Sequence, residues 1–360
     1  MCTVSLCMIV KNEEAVLARC LDSVKDLVDE IVIVDTGSTD ATRAIASRYT
    51  DKVYNFTWVD DFSAARNASF SHAEMDYCLW LDADDLLLPS DREGFRALKA
   101  ALGHDVDVVM MRYHTAFDDA GTPTFSYYRE RLVRNHPHWR WEGAIHEAIV
   151  PHGKVIWSEV AVTHRKEGPG DSDRNLRIFE GLLSKGAVLS PRERFYYGRE
   201  LYYHGRYEKA AAVLSAFWES GQGWVENRID SCMVLSRCLR ALGREEEALE
   251  ALLRSMTCGV PRAELCCDIG QWWLDRGDYR CAAFWYQLAL DAPRDDRSGA
   301  FVLPDCHGYI PALQLCVCWY HLGERDKAAA FNDLAEQFKP NSPQCRYNRA
   351  FFAAQGDAAH

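Results

Sequence analysis

The chain has 360 residues, 48% of them apolar and 12% aromatic, enough to bury two cores of ordinary domain size. Its formal net charge of −12 argues against a nucleic-acid backbone as partner, because a run of phosphates needs a basic surface. One bound nucleotide stays compatible, since a metal ion can meet its few charges locally.

The first apolar run, Val4–Val10, lacks a basic leader and passes straight into Lys11-Asn12-Glu13-Glu14, so it reads as a strand and not as a signal peptide. No other stretch approaches the ~18 continuous apolar residues of a membrane span. Without an export signal, the fourteen cysteines are expected to be reduced thiols in a cytoplasmic protein. Further strands are predicted at 30–35, 52–56, 77–81 and 106–113. Helical spacing at 13–24 and 39–48 separates the first of them, which points to a parallel sheet with crossover helices. Runs at 125–133 and 154–162 alternate less cleanly and are expected as antiparallel additions. The half from 1 to 170 is therefore an α/β domain. A loop at 166–171 and a linker helix within 171–190, over 174–183, follow it.

From about 191 to 360 the strand signals stop and a repeat takes over. Gly205-Arg206-Tyr207 with Ala210, Gly243 with Ala248, Gly277-Asp278-Tyr279 with Ala282, and Gly323 with Ala328 fit the turn and close-packing positions of tetratricopeptide helix pairs. Gly243 and Gly277 stand one 34-residue repeat apart. A polar insertion near 291–299 lengthens the last interval. Trp218, Trp224, Trp272, Trp273, Trp285 and Trp319 are read first as inter-helix core. Ten cysteines lie beyond residue 230, but Cys316 and Cys318 on one helix point to different faces, so a structural zinc with Cys306-His307 is not expected.

The chemistry gathers in the first half. In a parallel sheet ligands bind beyond the carboxyl ends of the strands, and there stand Lys11-Asn12-Glu13-Glu14 and Asp35-Thr36-Gly37-Ser38-Thr39-Asp40. Asp35 suits a uracil N–H or a ribose hydroxyl, while Ser38 or Thr39 can cap the next helix. Arg66, in Asp61-Phe62-Ser63-Ala64-Ala65-Arg66-Asn67, either offsets phosphate charge or pairs with a nearby acid. The acids Asp82-Ala83-Asp84-Asp85 repel one another unless a cation sits between them, and hard divalent ions choose such oxygens. Asp85 is read as a cap for the helix that follows. His146 and His164 are further candidate metal ligands, and a carboxylate of Glu142-Gly143-Ala144-Ile145-His146-Glu147 is a candidate general base.

This ordered set resembles the family 2 glycosyltransferases with a GT-A fold. With the later Arg131-Leu132-Val133-Arg134, Glu142–Glu147 segment and Thr163-His164 ahead of the repeats, it is similar to the branch that includes the sublancin-type peptide S-glycosyltransferases. Members of that branch often carry Tyr-Gly where Arg165-Lys166 stand here. The resemblance implies inverting transfer from a nucleotide sugar, most often UDP-linked, with Mn²⁺ or Mg²⁺. It implies that Val10, Asn12, Glu13, Asp35, Arg66, Asp82 and Ala83 bind the donor, with Asp35 on uracil and Asp82 on ribose or sugar. Asp84, His164 and His146 are the implied metal set; Glu147, then Glu142, is expected as the base. The acceptor is expected to be a peptide or protein held by the repeats, which also suit a homodimer contact. A glycan-precursor acceptor and a scaffold with a vestigial nucleotide domain are the competing readings.

Overall fold

A computed structural model describes residues 2–118, 121–167 and 171–357, so positions 168–170 of the expected 166–171 loop lie outside the described residues. The chain divides into two compact units, Met1–Glu193 and Arg194–His360.

The first unit is built on one eight-stranded sheet. Its strands are β1 (Val4–Val10), β2 (Glu30–Asp35), β3 (Val53–Asn55), β4 (Tyr77–Trp80), β5 (Asp85–Leu86), β6 (Val108–Phe117), β7 (Pro123–Arg134) and β8 (Val155–His164), in the order β3-β2-β1-β4-β7-β6-β8-β5. β1 pairs in parallel with β2 and β4, and β2 with β3. Nearly every residue of β1 is buried, as a strand covered on both faces requires. One face packs on α1 (Leu17–Val24) and α4 (Pro89–Ala101) through Leu17, Leu21, Phe95 and their neighbours. Behind the other face Trp80, Val108 and Val133 meet Trp139, Trp141 and Ile149.

β7 is antiparallel to β4 and β6, as expected. β8 departs from expectation: it runs parallel to β6 and is antiparallel only to β5. The crossover that a parallel pair needs is supplied by the whole of β7 and the long 139–153 segment. In a flat sheet β4 and β5 would stand about 19 Å apart, four strand spacings. Only residues 81–84 join them, and these turn tightly, with the Asp85 amide donating to the Asp82 carbonyl at 3.0 Å. That half of the sheet must therefore curl, which brings β5 beneath the end of β4.

The 39–48 helix shortens to α2 (Thr42–Ala46), and neither Ser38 nor Thr39 caps it. Their polar groups are engaged elsewhere. Ser38 Oγ accepts from the Asn12 amide at 3.0 Å, and the Thr39 amide donates to Asn12 Oδ1 at 2.8 Å. The two strand-end loops are thus laced together. α3 (Phe62–Ser71) is capped by Asp61, and α5 (Arg174–Ser184) ends the α/β part.

The second unit is helical throughout its described residues. Four antiparallel pairs follow in order, α6 (Pro191–Tyr203) with α7 (Tyr207–Glu219), α8 (Val225–Ala241) with α9 (Glu245–Arg254), α10 (Ala263–Asp275) with α11 (Tyr279–Asp291), and α12 (Tyr309–His321) with α13 (Arg325–Phe338); α14 (Pro343–Asp357) closes the array. Gly205, Gly243, Gly277 and Gly323 occupy the inter-helix turns at φ between 69° and 83°, the region that favours glycine. The alanines paired with them, Ala210, Ala248, Ala282 and Ala328, are all fully buried. Of the tryptophans read as core, Trp272 is buried whereas Trp224 is 46% exposed. His307 faces Glu264 at 3.5 Å and belongs to no three-ligand group among the described residues.

Close packing in the first pair rests on Gly198, where an added Cβ would stand 2.5 Å from the fully buried Leu214. Gly198→Ala gains helix propensity but overpacks that contact. The net expectation is a loss of about 1–2 kcal/mol in urea unfolding, and a stabilised variant would show that the helices have room to separate.

Candidate active site

Most of the candidate residues sit where a strand ends, whereas Arg66 stands on α3 and Glu142, His146 and Glu147 in the 139–153 segment. At the ends of β1 and β2, the Val10 carbonyl accepts from the Thr36 amide at 2.9 Å, and Asn12 turns the chain with φ 55°. Asp35, 2% exposed, accepts from the amides of Gly37 and Ser38 at 3.2–3.3 Å and faces Arg43 at 3.7 Å. Its carboxylate is thus aimed by its own loop, with Gly37 at φ 105° making the turn.

The acid run after β4 separates into distinct roles. Asp82 Oδ1 pairs with Arg66 at 2.7 Å, and Arg66 Nε pairs with Glu147 at 2.6 Å. Arg66 is buried, with Trp80 and Trp141 each 4.9 Å away. It is therefore a cationic bridge from the Asp82 turn to the 139–147 segment. Burial would raise the Asp82 carboxyl, but Arg66 and Arg131 outweigh it and hold the group at about 2. Asn67, next on α3, completes the clamp: its side chain donates to the Trp141 carbonyl and accepts from the Trp141 amide, both at 2.9 Å.

Asp85 is not a helix cap. The helix that follows starts at Pro89 with Leu88 at its N-cap position. Asp85 is instead wholly buried, accepting from Arg131 at 2.9 Å, from the Tyr113 hydroxyl at 2.9 Å and from the Asp82 amide at 3.1 Å. The β5–β8 register places Asp85 directly opposite His164. His164 Nδ1 consequently lies 3.3 Å from Asp84 Oδ1 and 3.4 Å from Asp85 Oδ1. Those two hydrogen bonds hold the imidazole proton up to about 10, so in the absence of a cation the ring itself carries the positive charge between the acids.

Asp84, Asp85 and His164 form a group whose ligand atoms all lie within 4.8 Å of one another. Their chemistry fits a divalent ion that accepts oxygen and imidazole nitrogen. Asp84 and His164 are the ligands with capacity to spare, since Asp85 is already committed to Arg131 and Tyr113. The structure does not bring His146 into this group. The φ of His146 is 53°, and its carbonyl accepts from Arg192 at 3.1–3.2 Å, so it shapes the loop and stands apart from Asp84. Glu142 is exposed on the same loop, its backbone bridged to Ala148. Ala83 is buried in the turn.

Glu13 is held up to about 7, first by burial and then by the carboxylates of Asp84, Asp82 and Asp40. The folded value exceeds the unfolded one, so the neutral form's contribution to stability is complete below about 4.5 and is lost as the pH rises through about 7. Because Glu13 is only half-buried, its ionisation costs the fold about 1 kcal/mol once solvent screening is counted. Glu13→Gln should accordingly raise the melting temperature of the ligand-free protein at pH 8 and leave it unchanged at pH 4. An equal shift at both values would exclude the charge as the cause.

Several site residues carried no recognisable role in the sequence. Arg131 is fully buried, its guanidinium 3.7 Å from the Trp80 ring centre and 4.2 Å from that of Tyr113. A cleft of about 340 Å³ at the β1 and β2 ends is lined by Lys11, Thr36, Trp58, Asp60, Phe62 and Arg174, among others. Arg174 stacks on Phe62 at 4.7 Å and acts on Glu13 electrostatically. Only the long-range pairing that the fold creates reveals these partners.

Residues 5–159 match the family model for glycosyl transferase family 2. Among curated proteins, the chain is 42% identical over 151 residues to a TPR repeat-containing protein of Synechococcus elongatus, covering 41% of this chain and 36% of that one. It is 26% identical over 227 residues to the SPbeta prophage-derived glycosyltransferase SunS of Bacillus subtilis, covering 59% and 52%. Similarity to the lipopolysaccharide core biosynthesis glycosyltransferase LpsC of Rhizobium meliloti reaches 30% over 151 residues, covering 40% and 56%. The matches thus span about a third to just over half the length of these relatives.

Proposed function

From an N-terminal domain that belongs to glycosyl transferase family 2, followed by tetratricopeptide-like helix pairs, we propose a metal-dependent inverting transferase that moves a sugar from a UDP-sugar to a peptide or protein side chain. The observation that carries this reading is the meeting of Asp84, Asp85 and His164 at strand ends, with Glu13 close enough to feel the charges of Asp84 and Asp82, and a cleft lined by Lys11 and Thr36 at the β1 and β2 ends. Asp35 takes the nucleobase or ribose through its aimed carboxylate, with Asn12, Glu13 and the Val10 and Ala83 backbone around it. Asp82, fixed by Arg66, faces the ribose or sugar.

Asp84 and His164 would hold Mn²⁺ or Mg²⁺, which stabilises the charge that grows on a departing diphosphate. His164 releases its proton when its nitrogen is needed as a ligand. Acceptor activation falls to a carboxylate of the 139–147 loop. Glu147 is already bound to Arg66, whereas Glu142 is exposed and has no ion pair among the described residues. Glu142 is therefore the base whose carboxylate is free to take a proton. Glu142→Gln should lower kcat about 100-fold with UDP binding intact. Glu147→Gln should instead weaken the Arg66 bridge and UDP binding together; the reverse pattern would return the base role to Glu147.

The peptide acceptor is supported by the helical unit, which displays exposed Tyr203, Trp224, Phe284 and Tyr347. No helix of the described residues is long and apolar enough to cross a membrane. All fourteen cysteines are free, in keeping with a reducing, cytoplasmic compartment. Incubation with UDP-sugars, Mn²⁺ and candidate small peptides, read by mass spectrometry, tests the reading. Sugar added to a side chain supports it, while transfer only to glycan acceptors would favour a glycan-precursor acceptor, as the name of the LpsC relative describes.

A further inference from the structure

The amino-terminal ends of β1 and β4 lie at the edge of the sheet opposite the strand ends that carry the site above. Cys2 stands two residues before the start of β1, Asp76 immediately precedes β4, and His104 lies in the segment that leaves α4. Ligand atoms of these three residues all stand within 4.8 Å of one another.

We propose that Cys2, Asp76 and His104 form a second metal site, selective for zinc, that ties the exit of α4 to the start of the sheet. Cys2 Sγ lies 3.7 Å from His104 Nδ1. Two ligands sharing a tetrahedral zinc, with Zn–S near 2.3 Å and Zn–N near 2.0 Å, stand about 3.5 Å apart, so the pair needs almost no rearrangement. The thiol is 1% exposed, whereas His104 and Asp76 are exposed, so the sulfur forms the floor of a shallow site open to solvent on one side. That leaves room for water as the fourth ligand.

Each ligand is held from behind. Asp76 Oδ2 accepts from the Thr3 amide and hydroxyl, both at 2.8 Å, leaving Oδ1 for a cation. Arg134 donates to the His104 carbonyl, and the Tyr77 hydroxyl shares its one proton between the carbonyls of Gly103 and Val106, 2.7–2.8 Å away, fixing the segment that carries the imidazole. Without metal, Cys2 donates its proton to the Leu102 carbonyl at 3.1 Å. Burial and then the Asp76 charge hold the thiol above its ordinary range. Zinc entry therefore forms one Zn–S bond and releases the thiol proton to solvent. A sulfur–nitrogen–oxygen set discriminates against the hard ions suited to Asp84.

Cobalt(II) as the probe separates the two sites by their chemistry. Only a thiolate ligand gives an intense sulfur-to-cobalt charge-transfer band, and only tetrahedral cobalt gives strong visible bands. The expected result is one equivalent of cobalt with both features in the whole chain and in Asp84→Ala, bleached by zinc. Cys2→Ser should lose both, and His104→Ala, an exposed change that spares the fold, should lose most of the intensity. Absence of the charge-transfer band in the parent chain, or its persistence in Cys2→Ser, would overturn the assignment.

Discussion

Asp85→Ala is expected to destabilise the N-terminal unit by about 3–5 kcal/mol, the cost of leaving one member of a buried ion pair without its partner. Neither Asp85 nor Arg131 has an exposed side chain, and they meet at 2.9 Å. Water cannot reach the guanidinium that the substitution would orphan. Two of its nitrogens, Nε and Nη2, already lack hydrogen-bond partners. They lie among the rings of Trp80 and Tyr113, whose faces offset only part of that deficit. The Tyr113 hydroxyl and the Asp82 amide would lose their acceptor at the same time. Asp85→Asn keeps an acceptor but not the charge, so it should cost less than alanine. The double change Asp85→Leu with Arg131→Met should recover most of the loss, because it removes both desolvated charges. Urea unfolding of the parent chain and these three variants measures the differences; a loss below about 1 kcal/mol for Asp85→Ala would show that the pair does not organise the turn.

That pair lies beyond what local sequence pattern specifies. The alternation of strands and helices, the turn glycines and the strand-end position of Asp35 and Asp84 all follow from local pattern, and the fold repeats them. Local pattern also makes Asp85 look like a cap, because one acid before a helix has that meaning in most contexts. Its true partners, Arg131 and Tyr113, lie 46 and 28 residues away. They meet it only because β8 pairs with β6 in parallel and β5 joins the far edge. Arg66 left two readings open, phosphate or acid, and the structure supplies the acids, Asp82 and Glu147. His146 and His164 were indistinguishable as types. Strand register separates them, placing His164 opposite Asp85 and leaving His146 in a loop held by Arg192.

Asp84→Ala is the substitution expected to abolish the proposed metal-dependent transfer while sparing the fold. Unlike Asp85, Asp84 has a partly exposed carboxylate, and it faces His164 at 3.3 Å without a buried arginine to orphan. UDP with Mn²⁺ at about 100 times its Kd should stabilise the parent chain by about 2.7 kcal/mol, a rise of several degrees in melting temperature. Asp84→Ala should lose that rise, and its transfer rate should fall by about 10³ or more, as expected when a metal's several kcal/mol of transition-state stabilisation disappears. The pH dependence supplies an independent check. His164 holds its proton up to about 10 and Glu13 up to about 7, so the ligand-free site is proton-loaded at neutral pH. A cation must displace the His164 proton and will favour ionised Glu13. Mn²⁺ affinity should therefore strengthen as the pH rises from 6 to 9, with protons released on binding and detectable by calorimetry in buffers of different ionisation enthalpy. His164→Asn should flatten the upper part of that dependence. If affinity in the parent chain is flat across this range, the imidazole does not exchange its proton for the metal, and the cation rests on Asp84 and the diphosphate alone.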